Sequence, residues 1–132
     1  MFLPVKSDSG AMPHWEYLPA AAGTYAAGQM LTVSAGGQVE NLSAASTTTP
    51  PYLCMADVTA VAGQVIPVIR VDGDFIFETT LKAAASGAVI GTKLQVEADG
   101  LTASKPSAGS GTFEVVYLEG TAAGNVVRGR FV

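Results

Sequence analysis

Short apolar segments alternate with polar positions along most of the chain, and glycines, Asp-Gly pairs or hydroxyl clusters interrupt them every few residues. In QMLTVSA, Met30, Thr32 and Ser34 alternate with Leu31, Val33 and Ala35. That period of two sends one set inward and the other outward along a strand. Gly36 and Gly37 then turn the chain into QVENL, and the hydroxyls and double proline of SAASTTTPP predict a surface loop. Apolar density peaks in YLCMADV, QVIPVIRV and DFIFETT. Pro67 cannot donate to a ladder, which predicts an edge strand, a bulge or a kinked corner. Asp72-Gly73-Asp74 predicts a tight hairpin between the last two segments. TKLQVEA, LTAS, TFEVVYLEG and NVVRGRFV read as further strands, and TLKAAASGAVIG predicts at most a helical turn or two before Gly87 and Gly91. The fold class expected is all-β, a small compact barrel or sandwich of about eight to ten short strands with at most one short helix.

One apolar framework occurs twice. Gly28, Leu31, Val33, Ala35 and Gly37 of AGQMLTVSAGG match Gly91, Leu94, Val96, Ala98 and Gly100 of IGTKLQVEADG without a gap. Each is a strand that opens from a glycine and ends in a turn, and the pair predicts two halves of one pseudo-symmetric barrel. No reactive side chain is shared between the copies, so the repeat is scaffolding.

Residues 1–19 differ in kind, with three prolines, the only Trp and the only His. Prolines hold such a segment extended, and Phe2, Leu3, Pro4, Val5, Trp15 and Tyr17 are too apolar for a solvated tail. The organisation expected is an extended N-terminal arm over 1–19 and a single β domain over 20–132. The arm docks either on its own domain or on a neighbouring subunit or larger surface, as extended segments do at sheet edges.

Composition sharpens this picture. Charged residues make up 14% of the chain, against roughly 25% in an ordinary soluble domain. A surface so poor in charge is cheap to desolvate, which favours an oligomer or an assembly component. The net charge is −4, and Lys6, Arg70, Lys82, Lys93, Lys105, Arg128 and Arg130 form no concentrated basic face, so nucleic acid is not an expected partner. MFLPVKSDSG has no basic stretch before an apolar core and no apolar run reaches membrane length, so neither a signal peptide nor membrane association is expected.

Candidate chemistry is sparse. Cys54, the single cysteine, sits among Tyr52, Leu53 and Met55 and reads as a small buried hydrophobe. His14, the one histidine, has no nucleophile in view, and two His and Cys residues are too few for a zinc site. Asp72 and Asp74 lack the further oxygens of a calcium loop. Glu16, Glu40, Asp57, Glu78, Glu97, Glu114 and Glu119 could converge in space, but nothing in their spacing marks an acid and base pair. No enzyme, catalytic residue, metal or cofactor is expected.

The succession of an extended arm, YLPAAAGTYAAGQMLTVSAGGQV, YLCMADVTAVAGQVIPVIRV and GTFEVVYLEGTAAGNVVRGRFV resembles the small head decoration proteins of tailed bacteriophages and prophages. The resemblance implies a virion structural protein made in the host bacterial cytoplasm and bound to the outer surface of the expanded capsid. It implies a homotrimer whose arm, through Phe2, Leu3, Pro4, Val5, Trp15 and Tyr17, contacts the major capsid protein or a sister subunit. The alternative expectation is a carbohydrate- or ligand-binding β module of a phage head or tail appendage, with Trp15, Tyr17, Tyr25, Tyr52 and Tyr117 as candidate stacking residues.

Overall fold

The computed structural model describes residues 1–132, an all-β chain with thirteen strands and no helix. In order these are β1 (Leu3–Ser7), β2 (Trp15–Pro19), β3 (Gly23–Tyr25), β4 (Met30–Val33), β5 (Val39–Asn41), β6 (Tyr52–Cys54), β7 (Val58–Ala60), β8 (Val65–Arg70), β9 (Phe75–Leu81), β10 (Lys93–Val96), β11 (Thr102–Ser104), β12 (Phe113–Leu118) and β13 (Val126–Phe131). The count exceeds the sequence expectation because the extended N-terminal segment supplies β1 and β2, and because β3 and β7 span three residues each, too few for an alternation to register. One sheet runs β1-β9-β11-β10-β12-β13, and β9 also pairs with β13, which closes five of its strands into a barrel. A second sheet runs β2-β8-β6-β4-β5. Its outer strands meet through a parallel bridge between Ala20 and Val39.

These two sheets are the same structure made twice. Tyr52, Leu53 and Cys54 face Arg70, Ile69 and Val68 across β6 and β8, while Phe113, Glu114 and Val115 face Phe131, Arg130 and Gly129 across β12 and β13. β2 pairs with β8 from Pro19↔Val65, and β9 pairs with β13 from Thr80↔Val126. Bonds outside the strands repeat as well. Gly28 N–H donates to Cys54 O and Gly91 N–H to Val115 O, both at 2.8 Å, and Ala20 O and Leu81 O accept from Gly63 and Gly124, again at 2.8 Å. The repeated units noted in the sequence therefore do not form halves of one barrel; each belongs to a barrel of its own.

Four equivalent turns launch the strands. In Ala26–Gln29, Val61–Gln64, Val89–Thr92 and Ala122–Asn125 the fourth residue's N–H donates back to the first residue's C=O. The first residue's N–H donates to the fourth side chain, at Gln29 Oε1, Gln64 Oε1, Thr92 Oγ1 and Asn125 Oδ1. The third residue is always glycine, with φ from 82° at Gly28 to 90° at Gly91, a conformation that costs a residue with a Cβ about 1–2 kcal/mol. The shared pattern is a glycine followed by Gln, Thr or Asn, and it lies just before β4, β8, β10 and β13.

The barrels pack front to back, and this explains where their sequences diverge. Inside the first lie Ala20, Leu31, Val39, Cys54, Ile66 and Val68; inside the second lie Phe77, Leu81, Leu94, Val115, Val127 and Phe131. Met30, Leu53 and Ile69 point out of the first barrel yet are fully buried, because they join the core cluster of the second. Their structural counterparts Lys93, Glu114 and Arg130 cover no such partner and are polar. The alternation expected in QMLTVSA is correspondingly broken: Met30 and Leu31 are both buried, whereas Val33 is exposed.

Two local expectations are corrected, and the one segment that could have made a helical turn makes none. Asp72-Gly73-Asp74 is no hairpin, since β8 and β9 lie in different sheets; it links the two barrels. Pro67 sits in β8, between β2 and β6 rather than at an edge. It is accommodated because β6 ends opposite it, and only its C=O is used, accepting from Met55 N–H at 3.0 Å. TLKAAASGAVIG makes no helix. The bond that would close its first turn is pre-empted, because Leu81 O accepts from Gly124 and Ala85 N–H donates to Thr121 O. These two barrel contacts fix the segment as turns.

Candidate interaction surface

Residues 1–19 are extended, as their prolines predict, and they are woven into both sheets: β1 pairs with β9, and β2 is a wall of the first barrel. Phe2 is fully buried, edge-on to Phe113 with ring centroids 5.5 Å apart and tilted against Phe131 at 6.3 Å. It closes the end of the second barrel. The other five residues singled out in this segment stay at or near the surface. Leu3, Val5, Trp15 and Tyr17 are exposed, Tyr17 to 65%, and Pro4 is half-buried.

Pro4, Val5 and Trp15 line one open groove of about 370 Å³ together with Met12, Met55 and Phe75. Leu3 borders a separate hollow with Phe2 and Pro4, and Tyr17 stands outside both. Met12 and Met55 were not legible as groove residues: nothing local to either segment links them, and only the pairing of β1 and β2 to neighbouring sheets brings them together. The segment between β1 and β2 is tethered by Asp8 to Arg130, at 2.5 Å, and by Ser9, whose N–H and Oγ donate to Asp74 at 2.9 and 2.6 Å.

A second cavity, of about 310 Å³, opens at the end of the first barrel and is lined by His14, Glu16, Arg70, Asp72 and Asp74, among others. The internal repeat shows what is unusual here. Where the second barrel is sealed by Phe77, Phe113 and Phe131, the first has Glu16, Tyr52 and Arg70. Arg70 Nη2 donates to Tyr52 Oη at 3.0 Å and stacks over its ring at 5.2 Å. Glu16 Oε2 is enclosed and has no hydrogen-bond partner.

Several of the remaining candidate groups are engaged elsewhere. Cys54 is buried, and burial pushes its thiol up from the usual value, which suppresses the reactive thiolate. Glu78 pairs with Arg128, Glu119 accepts from Val126 N–H, Asp57 from Ala27 N–H, and Glu97 from Ser104 Oγ. No group of three or more His, Cys, Asp or Glu side chains is arranged to hold a metal ion. Of the aromatics weighed for sugar stacking, Tyr25 is buried, while Tyr52 and Tyr117 each lie beneath an arginine.

Asp99 supports the seam between the barrels. Its Oδ1 accepts from the N–H groups of Leu101 and Thr102, and its carboxylate also receives Thr102 Oγ1 and Lys82 Nζ. Burial alone would raise its pKa, but these bonds outweigh burial and hold it below the ordinary 3.8. A carboxylate depressed in the folded state stabilises above its unfolded pKa and loses that contribution as pH falls through the folded value. Urea midpoints should therefore drop as pH falls below the ordinary carboxylate value of 3.8, and Asp99→Asn should flatten part of that drop. An unchanged acid limb in the variant would remove Asp99 from the account.

No protein-family model matches the chain, and no curated protein matches it.

Proposed function

We propose that the protein is a head decoration protein, a virion structural component that binds the outer surface of an expanded phage capsid as a homotrimer and stabilises it. The observation that carries this reading is a group of exposed apolar side chains, Val5, Met12 and Trp15 around one groove with Leu3 and Tyr17 outside it, most of them borne on strands paired into the two sheets. Side chains on a fixed backbone lose little conformational freedom when they dock, so more of the buried area appears as affinity. The low charge of the surface acts in the same direction by lowering the cost of desolvation. A trimer would present three such groups to the shell, and linked weak contacts give retention that no single contact supplies.

The test is co-sedimentation with purified expanded heads, paired with light scattering of the free protein. A trimer that pellets with the heads is expected. Replacing Trp15 and Tyr17 together by alanine should weaken binding at least about thirtyfold, the scale of a central aromatic anchor, while far-ultraviolet circular dichroism stays unchanged. Full binding by the double variant, or a monomer at all concentrations, would overturn the proposal.

A further inference from the structure

One edge distinguishes the two barrels. β13 pairs with β9 over Phe77–Thr80, so β1, at Phe75–Glu78, and β11, at Thr80 and Leu81, must share the opposite side of β9. In the first barrel β2 takes the place of β9, β8 that of β13 and β5 that of β11. Ala20 bridges Val39 much as Leu81 pairs with Ala103. Nothing stands where β1 stands: β2 pairs with β8 alone.

The direction of the free backbone groups follows from the bonds at the end of the strand. Ala20 N–H donates to Gln64 O on the β8 side at 2.8 Å, and Ala21 N–H donates to Val39 O on the other side at 2.9 Å. Backbone groups alternate along a strand, so Glu16 and Leu18 face β8, while Trp15 and Tyr17 aim N–H and C=O at the open edge. No bond outside the strand ladders involves Trp15 or Tyr17. Pro19 also faces that edge, where its missing N–H is tolerated.

We propose that this edge is a docking slot for an extended segment of a partner protein, laid antiparallel to β2 with a lysine or arginine opposite Glu16. The orientation is that of β1 on β9, where Pro4 lies opposite Phe77, the counterpart of Glu16. Residues directly opposite in an antiparallel pair share a face, so the partner's side chain at that register points with Glu16 into the end of the first barrel. The chemistry there is acidic: Glu16 Oε2 is enclosed and unpartnered, Asp72 and Asp74 line the same cavity, and the nearby Arg70 is taken up by Tyr52. The slot would serve any partner strand of this character and does not depend on the capsid assignment.

The test uses the full chain and an acetylated, amidated peptide of residues 2–8 with lysine in place of Pro4, read by residue-resolved amide hydrogen exchange. In the free protein Trp15 and Tyr17 should exchange as open amides while Glu16 and Leu18 are protected. Millimolar peptide should slow Trp15 and Tyr17 at least tenfold, and a peptide with glutamate at that position should bind about tenfold more weakly, as loss of a charge-assisted contact implies. Tyr17→Pro deletes the outward N–H and should abolish the protection at Trp15. Glu16→Gln should weaken the lysine peptide about tenfold and erase its advantage over the glutamate peptide, and it carries the test if Tyr17→Pro disturbs Glu16 and Leu18. No protection, equal binding of both peptides, or new exchange at Ile76 and Glu78 from displacement of β1 would each overturn the slot.

Discussion

Phe2→Ala is expected to destabilise the protein by about 3–5 kcal/mol, the range for a fully buried phenylalanine. The ring has no exposed surface and no room to be replaced by solvent, since it packs against both Phe113 and Phe131 and lies within the core cluster that includes Met30, Leu53 and Ile69. Its backbone is also fixed, with Phe2 N–H donating to Gly28 O at 2.7 Å. Alanine would leave a cavity at the junction of the two barrels, where collapse from either side is resisted by closed sheets. Denaturation in urea measures the loss, and a cost below about 1 kcal/mol would show that Phe2 does not close the barrel as described. The same packing predicts that a chain starting at residue 20 does not fold, because it lacks both Phe2 and β2, a wall of the first barrel. A folded 20–132 fragment with native-like circular dichroism would contradict this.

Gly100→Ala should cost about 1–3 kcal/mol more than Gly37→Ala, although the two glycines occupy equivalent turns. Both have positive φ, 68° at Gly100 and 80° at Gly37, so each alanine incurs about 1–2 kcal/mol of backbone strain. At Gly37 a Cβ meets nothing within 4 Å; at Gly100 it would lie 2.6 Å from Met30 O. That oxygen belongs to the backbone and cannot swing away. The shift needed would also strain the bond from Met30 N–H to Gly100 O, 2.8 Å, and the contact of Gln29 Nε2 with Asp99 O, 3.1 Å, which seat the turn of one barrel on the other. Overpacking of this kind adds about 1–3 kcal/mol. Paired denaturation curves decide the matter, and equal losses would mean the seam yields freely.

Much of the strand content was readable because a two-residue period bounded by glycine turns is a local property. Val126–Phe131, the turn at Asp99-Gly100 and the hairpin at Gly36-Gly37 are where the pattern places them. The duplication was only partly readable. It survives in Gly28, Leu31 and Gly37 against Gly91, Leu94 and Gly100, which serve turns and barrel interiors in both copies. It is erased at Met30, Leu53 and Ile69 against Lys93, Glu114 and Arg130, because only the first set is covered by another barrel. The candidate surface suffered in the same way. Six apolar residues were picked out near the N-terminus, but nothing local distinguishes Phe2, which is buried, from Trp15 and Tyr17, which are not.

The amino-acid order alone determined that the chain would be β structure, cut by glycine turns, sparsely charged and extended at its N-terminus. Those features follow from each residue's own backbone preferences and from alternation along a few neighbours. The tertiary structure decided what covers each face of each strand: that the outward side of one barrel is core for the other, that Phe2 is a plug, and that β2 is left with an open edge. Alternation defines two faces of a strand, but burial of either is a contact between segments far apart in the chain, and only the closed fold specifies that contact.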